Sequence, residues 1–314
     1  MKVGFVGLGN VGGKLAGSLL RNGVDLTVHD LDADLVGAFV ARGTRAGGNA
    51  AALMEECDAV VTCLPSPAAS AAVMDEMLPH IGAGKIWMEM STTDEAEVRR
   101  LGAAVAARGG AAVDCPVSGG CHRAATGNIS ILAGCERATF EKVLPLLSLM
   151  GRRVLHTGAL GSASVLKVIT NYLATANLVS CAEALTVAKG AGMDLATAYE
   201  AIRISSGTSF VHETESQVIL NGSRDISFTM DLVAKDIGLF QDVADRAGVP
   251  VELNPKLIEI FADGIARFGP RELSPNIIKR LEEATGLDIR APGFPAEMKD
   301  HEPEARGAEV EIAR

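Results

Sequence analysis

The first half of the chain alternates short apolar runs with segments of helical periodicity. The apolar runs are Val3–Val6, Leu26–His29, Ala59–Leu64, Ile86–Met90, Ala111–Asp114, Ile129–Ala133 and Arg153–His156. Helical segments lie between them, near residues 11–21, 33–42, 68–77, 95–108 and 137–149. This alternation predicts an α/β domain whose mainly parallel sheet has helices on both faces. The later runs have less helix between them, so we expect the sheet to change direction there.

The pattern changes after Gly158. Residues 162–190 contain no Pro and are rich in Ala, Leu and Val, which predicts one helix of roughly 40 Å. Further helical segments follow near 194–204, 209–219, 229–247, 254–268 and 274–285, punctuated by Gly and Pro. We therefore predict a dinucleotide-binding α/β domain over 1–160 and an all-α domain over 161–290. Residues 291–314 form an acidic, Pro-containing tail that we expect to be loosely held.

Composition narrows the classes of function. The chain has 314 residues, of which 48% are hydrophobic and 22% charged, the balance of a globular protein. A net charge of −10 gives no long-range attraction to nucleic acid or anionic lipid. The start of the chain lacks a secretory pattern, the six cysteines form no CxxC motif, and the six histidines are scattered. We expect a cytoplasmic protein without a nucleic-acid, membrane or metal partner.

A glycine-rich turn follows the first apolar run and opens the first helical segment. Its residues are Gly7, Leu8, Gly9, Asn10, Val11 and Gly12. In this strand–turn–helix context the GxGxxG spacing is typical of a dinucleotide site. The first glycine permits a tight turn, the second lets a pyrophosphate approach the backbone, and the third lets the helix pack on the strand.

Asp30 follows the second apolar run and supports this interpretation. A carboxylate at this place accepts hydrogen bonds from the adenosine ribose hydroxyls. Asp32 and Asp34 come next and no Arg stands beside them, so a 2′-phosphate would meet uncompensated negative charge. The sequence therefore predicts NAD rather than NADP as the cofactor.

Further blocks allow a comparison with a known family. They are Cys63–Pro67, Met90–Thr92, Asp114–Gly120 with Ala125–Gly127, Gly161–Asn171 and Phe228–Asp236. Together with the glycine-rich turn, and from residue 1 to about 290, the chain resembles the β-hydroxyacid dehydrogenase family, which includes 3-hydroxyisobutyrate dehydrogenase and tartronate semialdehyde reductase. The resemblance implies a Rossmann-type domain, a long connecting helix and an all-helical domain that helps to form homodimers or homotetramers.

The resemblance also implies roles for individual residues. Lys167 matches the catalytic Lys, and Asn171 its partner, although Thr170 stands where the family usually has another Asn. The carboxylate-binding turn matches Ser118, Gly119 and Gly120. Leu64, Pro65 and Thr92 are expected beside the nicotinamide, and Lys235 on the cofactor side. His122 and Arg123 are more polar than the residues of many relatives, so they predict a substrate at least as polar as 3-hydroxyisobutyrate, unless Arg123 points to solvent.

The chemistry of Lys167 fits this role. Oxidation of an alcohol requires a base that takes the hydroxyl proton, and Lys serves when burial draws its pKa toward neutrality. Lys167 stands in an apolar helical stretch, and Asn171 lies four residues on, on the same face. We therefore predict an NAD-dependent oxidoreductase acting on a small β-hydroxy acid.

Three alternatives stay open at this point. One is an NADPH-dependent reductase of short aldehydes such as glyoxylate or succinic semialdehyde, against which Asp30 argues. Another is the imine-reductase group, which generally lacks the catalytic Lys. The last is a non-catalytic reader of chromatin or cofactor state, against which Lys167 and Asn171 argue. The sequence does not name the substrate.

Overall fold

The computed structural model describes residues 1–312, so the last two residues of the predicted tail lie outside the described part. The chain forms two compact units. The first contains Met1–Lys167 together with the residues from Asp300 onward, and the second contains Val168–Lys299. The division therefore falls after Lys167, inside a helix, whereas the sequence pattern placed it before that helix.

The elements of the first unit alternate as the pattern predicts. Its strands are β1 Val3–Val6, β2 Leu26–His29, β3 Arg45–Ala46, β4 Ala59–Thr62, β5 Ile86–Glu89, β6 Ala111–Asp114, β7 Val117–Ser118, β8 Ile129–Gly134, β9 Gly151–Gly158 and β10 Ala308–Glu309. Its helices are α1 Gly12–Arg21, α2 Ala33–Val40, α3 Ala50–Glu56, α4 Pro67–Met77, α5 Glu95–Ala106, α6 Gly120–Ala125 and α7 Arg137–Met150, with a 3₁₀ helix at Leu78–His80. The pattern missed β3, α3, β7, α6 and β10, because elements of two to seven residues contain too few periods to stand out from the surrounding sequence.

The sheet has the strand order β3-β2-β1-β4-β5-β6, all parallel, and continues through β8 and β9 to β10. The predicted change of direction is confirmed, because β8 runs antiparallel to β6 while β9 is parallel to β8. β1 lies between β2 and β4, so the strand order reverses beside it. Ligands of such sheets bind outside the carboxyl ends of the strands at that reversal.

Both faces of the sheet are buried. Phe5, Val61, Met88 and Val113 are register partners across four neighbouring strands, and none is exposed to solvent. They pack in a core with residues of α1 and α7, while Val60 and Trp87 pack on the opposite face with residues of α3 and α5. Burial on both faces is what makes these strands read as continuous apolar runs.

The second unit is helical, as predicted. Its elements are α8 Ser162–Gly190, which begins in the first unit, α9 Leu195–Arg203, α10 Phe210–Asn221, α11 Met230–Arg246, α12 Leu253–Phe268, a 3₁₀ helix at Ser274–Ile278 and α13 Lys279–Thr285. By length and composition α8 alone, among the described helices, could cross a membrane. Leu178, Ala182 and Leu185 of α8 are buried in the core of this unit.

Residues 291–312 of the C-terminal tail make specific contacts, which corrects the expectation that the tail is loosely held. The Ala291 N–H donates to the Leu220 carbonyl oxygen at 2.9 Å within the second unit. From Asp300 onward the tail packs on the first unit, where β10 adds a parallel strand to β9. Glu304 and Glu309 pair with Arg21 and Arg137 at 3.1 and 2.5 Å. The acidic residues that suggested a solvated tail are therefore its attachment points.

Gly307 provides a test of this attachment. Its N–H donates to the Ser148 carbonyl oxygen at 2.8 Å, and a Cβ at this position would lie 1.9 Å from the Gly151 carbonyl oxygen. Gly307→Val should detach β10, lower the melting temperature by roughly 2–4 °C, the equivalent of about 1 kcal/mol in a protein of this size, and speed proteolysis of residues 300–312. Gly82→Val is the matched control, because a Cβ there meets nothing within 4 Å. Equal protease resistance of the two variants would contradict the attachment.

Candidate active site

The glycine-rich turn excludes side chains at two positions and leaves the third open. Gly7 has a φ of 95°, and a Cβ on it would lie 2.3 Å from the Cys63 carbonyl oxygen. A Cβ on Gly12 would lie 2.1 Å from the Gly7 carbonyl oxygen, so α1 packs tightly against the turn. A Cβ on Gly9 would meet nothing within 4 Å. The backbone at Gly9 is therefore open to approach, which fits a pyrophosphate.

The N-terminus of α1 faces this turn. The Gly13 N–H donates to the Gly9 carbonyl oxygen at 2.9 Å and closes the first helical turn. The first turn carries no acidic residue, so α1 itself does not offset the positive end of its dipole. Helix N-termini of this kind favour phosphate groups.

Asp30 braces the glycine-rich turn as well as following β2. Its Oδ2 accepts a hydrogen bond from the Leu8 N–H at 2.6 Å, and its Oδ1 accepts one from the Asp32 N–H at 2.9 Å. Each carboxylate oxygen has a second lone pair, so these contacts leave acceptor capacity for ribose hydroxyls. Sequence reasoning assigned the ribose role and missed the bracing role, which depends on a contact across two strands.

The loops after β4 and β5 are tied together beside the turn. The Leu64 N–H donates to Ser91 Oγ at 2.7 Å, and the Ser91 N–H donates to Glu89 Oε1 at 2.9 Å. Leu64 and Thr92, both expected near the nicotinamide, therefore lie on loops fixed by one buried carboxyl group. Burial raises the pKa of Glu89. The sequence signal for Glu89 is an acidic residue inside an apolar run, which the pattern analysis passed over.

Ser118, Gly119 and Gly120 form a turn between β7 and α6. Ser118 pairs with Ser130 of β8, and Gly119 and Gly120 have φ values of 131° and 85°. The left-handed backbone explains both glycines, because larger residues rarely adopt it. Cys121 Sγ lies 3.9 Å from the Asn10 carbonyl oxygen, so this turn and the glycine-rich turn adjoin.

His122 and Arg123 lie on α6, directly after that turn. Arg123 is within 4.0 Å of Glu302 of the tail, and a Cβ on Gly119 would lie 3.3 Å from Arg123 Cδ. The Arg123 side chain is 24% exposed, so it lies between the turn and the tail. Burial, followed by the positive charge of Arg123, lowers the pKa of His122. Pro65 is exposed, next to the half-buried Leu64.

Lys167 is buried near the start of α8, with 8% of its surface exposed. Three residues earlier, Ser164 is held by Asp114, the last residue of β6. Asp114 Oδ2 accepts the Ser164 N–H at 2.7 Å and Asp114 Oδ1 accepts the Ser164 hydroxyl at 2.8 Å. The predicted catalytic residue thus stands on a helical turn anchored to the sheet.

In the second unit, Asp236 joins the other two predicted residues. The Asn171 side-chain amide donates to Asp236 Oδ2, and Lys235 Nζ lies 2.7 Å from Asp236 Oδ1. Asp236 is buried, and Tyr172 of α8 stacks on Phe240 of α11 with ring centroids 4.1 Å apart. Sequence reasoning mentioned Asp236 only as the neighbour of Lys235, since nothing in the sequence places it against α8.

Within residues 1–312, no group of three His, Cys, Asp or Glu side chains is arranged to hold a metal ion.

Comparison with known proteins gives two family matches. The model described as the NAD binding domain of 6-phosphogluconate dehydrogenase matches residues 2–158. The model described as the NAD-binding domain of NADP-dependent 3-hydroxyisobutyrate dehydrogenase matches residues 161–281. The two matches meet close to the domain boundary that the sequence pattern predicts.

Individual relatives cover nearly the whole chain. A 2-(hydroxymethyl)glutarate dehydrogenase of Eubacterium barkeri is 33% identical, over 92% of this chain and 97% of the relative. An NAD-dependent L-serine dehydrogenase of Pseudomonas aeruginosa is 31% identical, over 90% and 98%. The crystal structure of a 3-hydroxyisobutyrate dehydrogenase from Salmonella typhimurium superposes with a TM-score of 0.80 at 28% identity, covering 89% of this chain and 99% of that one.

The fold, the glycine-rich turn and these matches define the class: an oxidoreductase with a nicotinamide cofactor. Within that class, the chain belongs to the β-hydroxyacid dehydrogenase family. The resemblance inferred from the motifs is thereby confirmed, as is the predicted combination of a Rossmann-type domain with a helical domain.

Proposed function

We propose that this protein is an NAD-dependent dehydrogenase that oxidises a small β-hydroxy acid, with Lys167 as general base. The observation that carries the proposal is the burial of Lys167 on the anchored first turns of α8, in a unit that also holds the glycine-rich turn. Removal of a cation from water favours its neutral form, and a neutral amine can take a proton.

Each residue of the candidate site then has a defined role. Ser118 and the N–H groups of Gly119 and Gly120 bind the substrate carboxylate, since these donors do not titrate. Asn171 orients the hydroxyl or the Lys167 amine without adding charge. Lys167 Nζ removes the hydroxyl proton in oxidation and returns it in reduction. The bound nicotinamide supplies the hydride acceptor.

The proposed preference for NAD rests on the negative charges after β2. Asp32 caps α2 by accepting the Asp34 N–H at 2.9 Å, while Leu31 is 98% exposed and offers no charge to a phosphate. A 2′-phosphate placed here would face Asp30 and Asp32. Relatives of known structure include complexes with NADP+, so an NADPH-dependent aldehyde reductase is the competing outcome.

The cofactor preference is testable at Asp30. The wild-type protein should show at least about tenfold higher kcat/KM with NAD than with NADP, which is about 1.4 kcal/mol. Asp30→Asn removes the charge but keeps an acceptor for the Leu8 N–H. It should therefore weaken NAD binding and reduce the difference in kcat/KM between NAD and NADP. Asp58→Asn is the matched control, because Asp58 likewise accepts a backbone N–H, from Lys2, at 2.7 Å. Equal efficiency with both cofactors in the wild type would refute the preference.

We further propose that the substrate is more polar than 3-hydroxyisobutyrate. Arg123 follows the carboxylate-binding turn and folds back over Gly119, where it can meet the far end of a substrate. By its name, the substrate of the 2-(hydroxymethyl)glutarate dehydrogenase carries a second carboxylate. Glu302 competes for Arg123 in the absence of such a group.

A substrate panel with Arg123 variants tests this proposal. Arg123→Ala should lower kcat/KM for dianionic β-hydroxy acids by roughly tenfold or more, the loss of a charge-assisted contact of about 1.5–3 kcal/mol, and leave monoanionic ones nearly unchanged. Glu302→Gln should raise kcat/KM for dianionic β-hydroxy acids, because it removes the charge that competes for Arg123. Arg100→Ala serves as the control, since Arg100 pairs with Glu97 on the surface of α5. Unchanged relative rates across the panel would show that Arg123 selects nothing.

The role of Lys167 is tested by Lys167→Met, which keeps an apolar stem and removes the base. Turnover should fall by about 10²–10⁴-fold, the usual contribution of a general acid–base group. NAD affinity, measured by fluorescence titration, should change little, because the Lys serves the reacting hydroxyl. Lys142→Met, at an exposed position of α7, is the control. Near-normal turnover, or loss of NAD binding in a folded variant, would contradict the assignment.

Assembly and location are proposals as well. Leu173 and Val187 on α8 are 53% and 70% exposed, and an apolar helix face of this kind supports a homodimer or homotetramer formed through the helical domain. None of the six cysteines is joined in a disulfide, which supports the reducing environment of the cytoplasm.

A further inference from the structure

Two carboxyl groups are buried side by side below the carboxyl edge of the sheet. Glu89 and Asp114 are the last residues of β5 and β6, and they are register partners in the parallel pair. Neither has any solvent exposure. Partner residues on neighbouring strands are about 5 Å apart, so the two acids belong to one electrostatic site.

Their hydrogen bonds differ in a way that decides which acid carries charge. Asp114 accepts two hydrogen bonds from Ser164, and donors of this kind stabilise a carboxylate. Glu89 accepts one from Ser91, while its Oε2 is enclosed without a hydrogen-bond partner. An ion would leave that oxygen uncompensated. Asp114 therefore has the stronger hydrogen-bond support for its ionised form, while burial raises the pKa of Glu89.

We propose that Asp114 is a positioning residue for Lys167, acting as the long-range cap of α8. This inference rests on the proposed function of Lys167. The Asp114 carboxylate holds the N–H and the hydroxyl of Ser164, and Lys167 follows on the same helix face three residues later. The negative charge also meets the positive end of α8. Loss of that charge weakens the cap and lets the catalytic turn shift.

The groups that face Asp114 give the cap a pH dependence. Burial, opposed by the Ser164 hydrogen bonds and reinforced by Glu89, raises the pKa of Asp114 to about 7. The other titratable neighbours are the thiols of Cys115 and Cys135, whose pKa values burial raises, that of Cys135 to about 12. These thiols stay neutral over the working range. His156 binds the Cys135 carbonyl oxygen from β9.

The test measures kcat for aldehyde reduction with NADH between about pH 5.5 and 9. In this direction Lys167 must start protonated, so deprotonation of Lys167 limits only the alkaline side. The wild type should lose activity below about pH 7 as Asp114 gains a proton. Asp114→Asn, which mimics the protonated acid, should abolish that acid limb and lower kcat by about 10- to 100-fold, the cost of a misplaced catalytic group. The KM for NADH should stay unchanged.

Ser164→Ala provides a second variant that keeps the acid. Removal of the hydroxyl donor raises the pKa of Asp114, so the acid limb of the kcat profile should move to higher pH. If Ser164 only stabilised the fold, its removal would lower kcat without moving the acid limb. Asp194→Asn is the matched control: Asp194 caps α9 by accepting both the N–H and the hydroxyl of Thr197, at 2.8 and 2.9 Å, yet is exposed. Asp194→Asn should leave the acid and the alkaline limb of the kcat profile unchanged.

Thermal unfolding supplies a readout that does not need activity. The pKa of Asp114 in the folded protein lies above its ordinary value of 3.8, so the folded state binds the proton more tightly. The wild type should therefore gain melting temperature relative to Asp114→Asn as the pH falls from 8 to 5. The proposal would be overturned if the difference in melting temperature between wild type and Asp114→Asn did not change with pH. It would also be overturned if the loss of activity at low pH persisted in Asp114→Asn, or did not move to higher pH in Ser164→Ala. If Lys167→Met stays active, the proposed function fails instead.

Discussion

The parallel direction of β1, β2, β4, β5 and β6 is the constraint on which the candidate site of the first unit depends. Parallel strands bring all their carboxyl ends to one edge of the sheet. The glycine-rich turn, Asp30, Leu64 and Thr92 each follow one of these strands directly. Residues that are up to 85 positions apart in sequence (92 − 7) therefore share one edge. The apolar rows through Phe5 and Val61 keep the strands in this register.

Polar groups placed under this edge hold the loops by long-range hydrogen bonds. Asp30 follows a strand and Asp114 ends one, and each accepts a backbone N–H from another segment. Glu89 also ends a strand, but it accepts the N–H of Ser91, two residues further on in its own loop. A buried carboxyl group costs free energy unless it is hydrogen-bonded or neutral. Two such acids stand at adjacent register positions, where Glu89 holds the loop after β5 and Asp114 holds the start of α8.

In the helical unit, a buried acid on a helix holds the residues of the candidate site. Asp236 takes the place of a sheet-borne acid and links Asn171 of α8 to Lys235 of α11. The stacked rings of Tyr172, the residue after Asn171, and of Phe240, one turn beyond Asp236, hold the same two helices together. The residues that the family resemblance singles out are therefore supported by neighbours that carry no motif of their own.

The sequence alone determined the class of fold, the two-domain order and the family. Those features follow from local signals: apolar periodicity, the GxGxxG spacing and residue types at fixed offsets along one strand or helix. Tertiary structure decided the rest, because it depends on contacts between distant segments. The Asp114–Ser164 cap, the Asp236 bridge and the tail strand β10 each join residues that are 50 or more positions apart. An acidic tail that packs on the fold has the same local pattern as a solvated one, and only its partners across the fold distinguish the two.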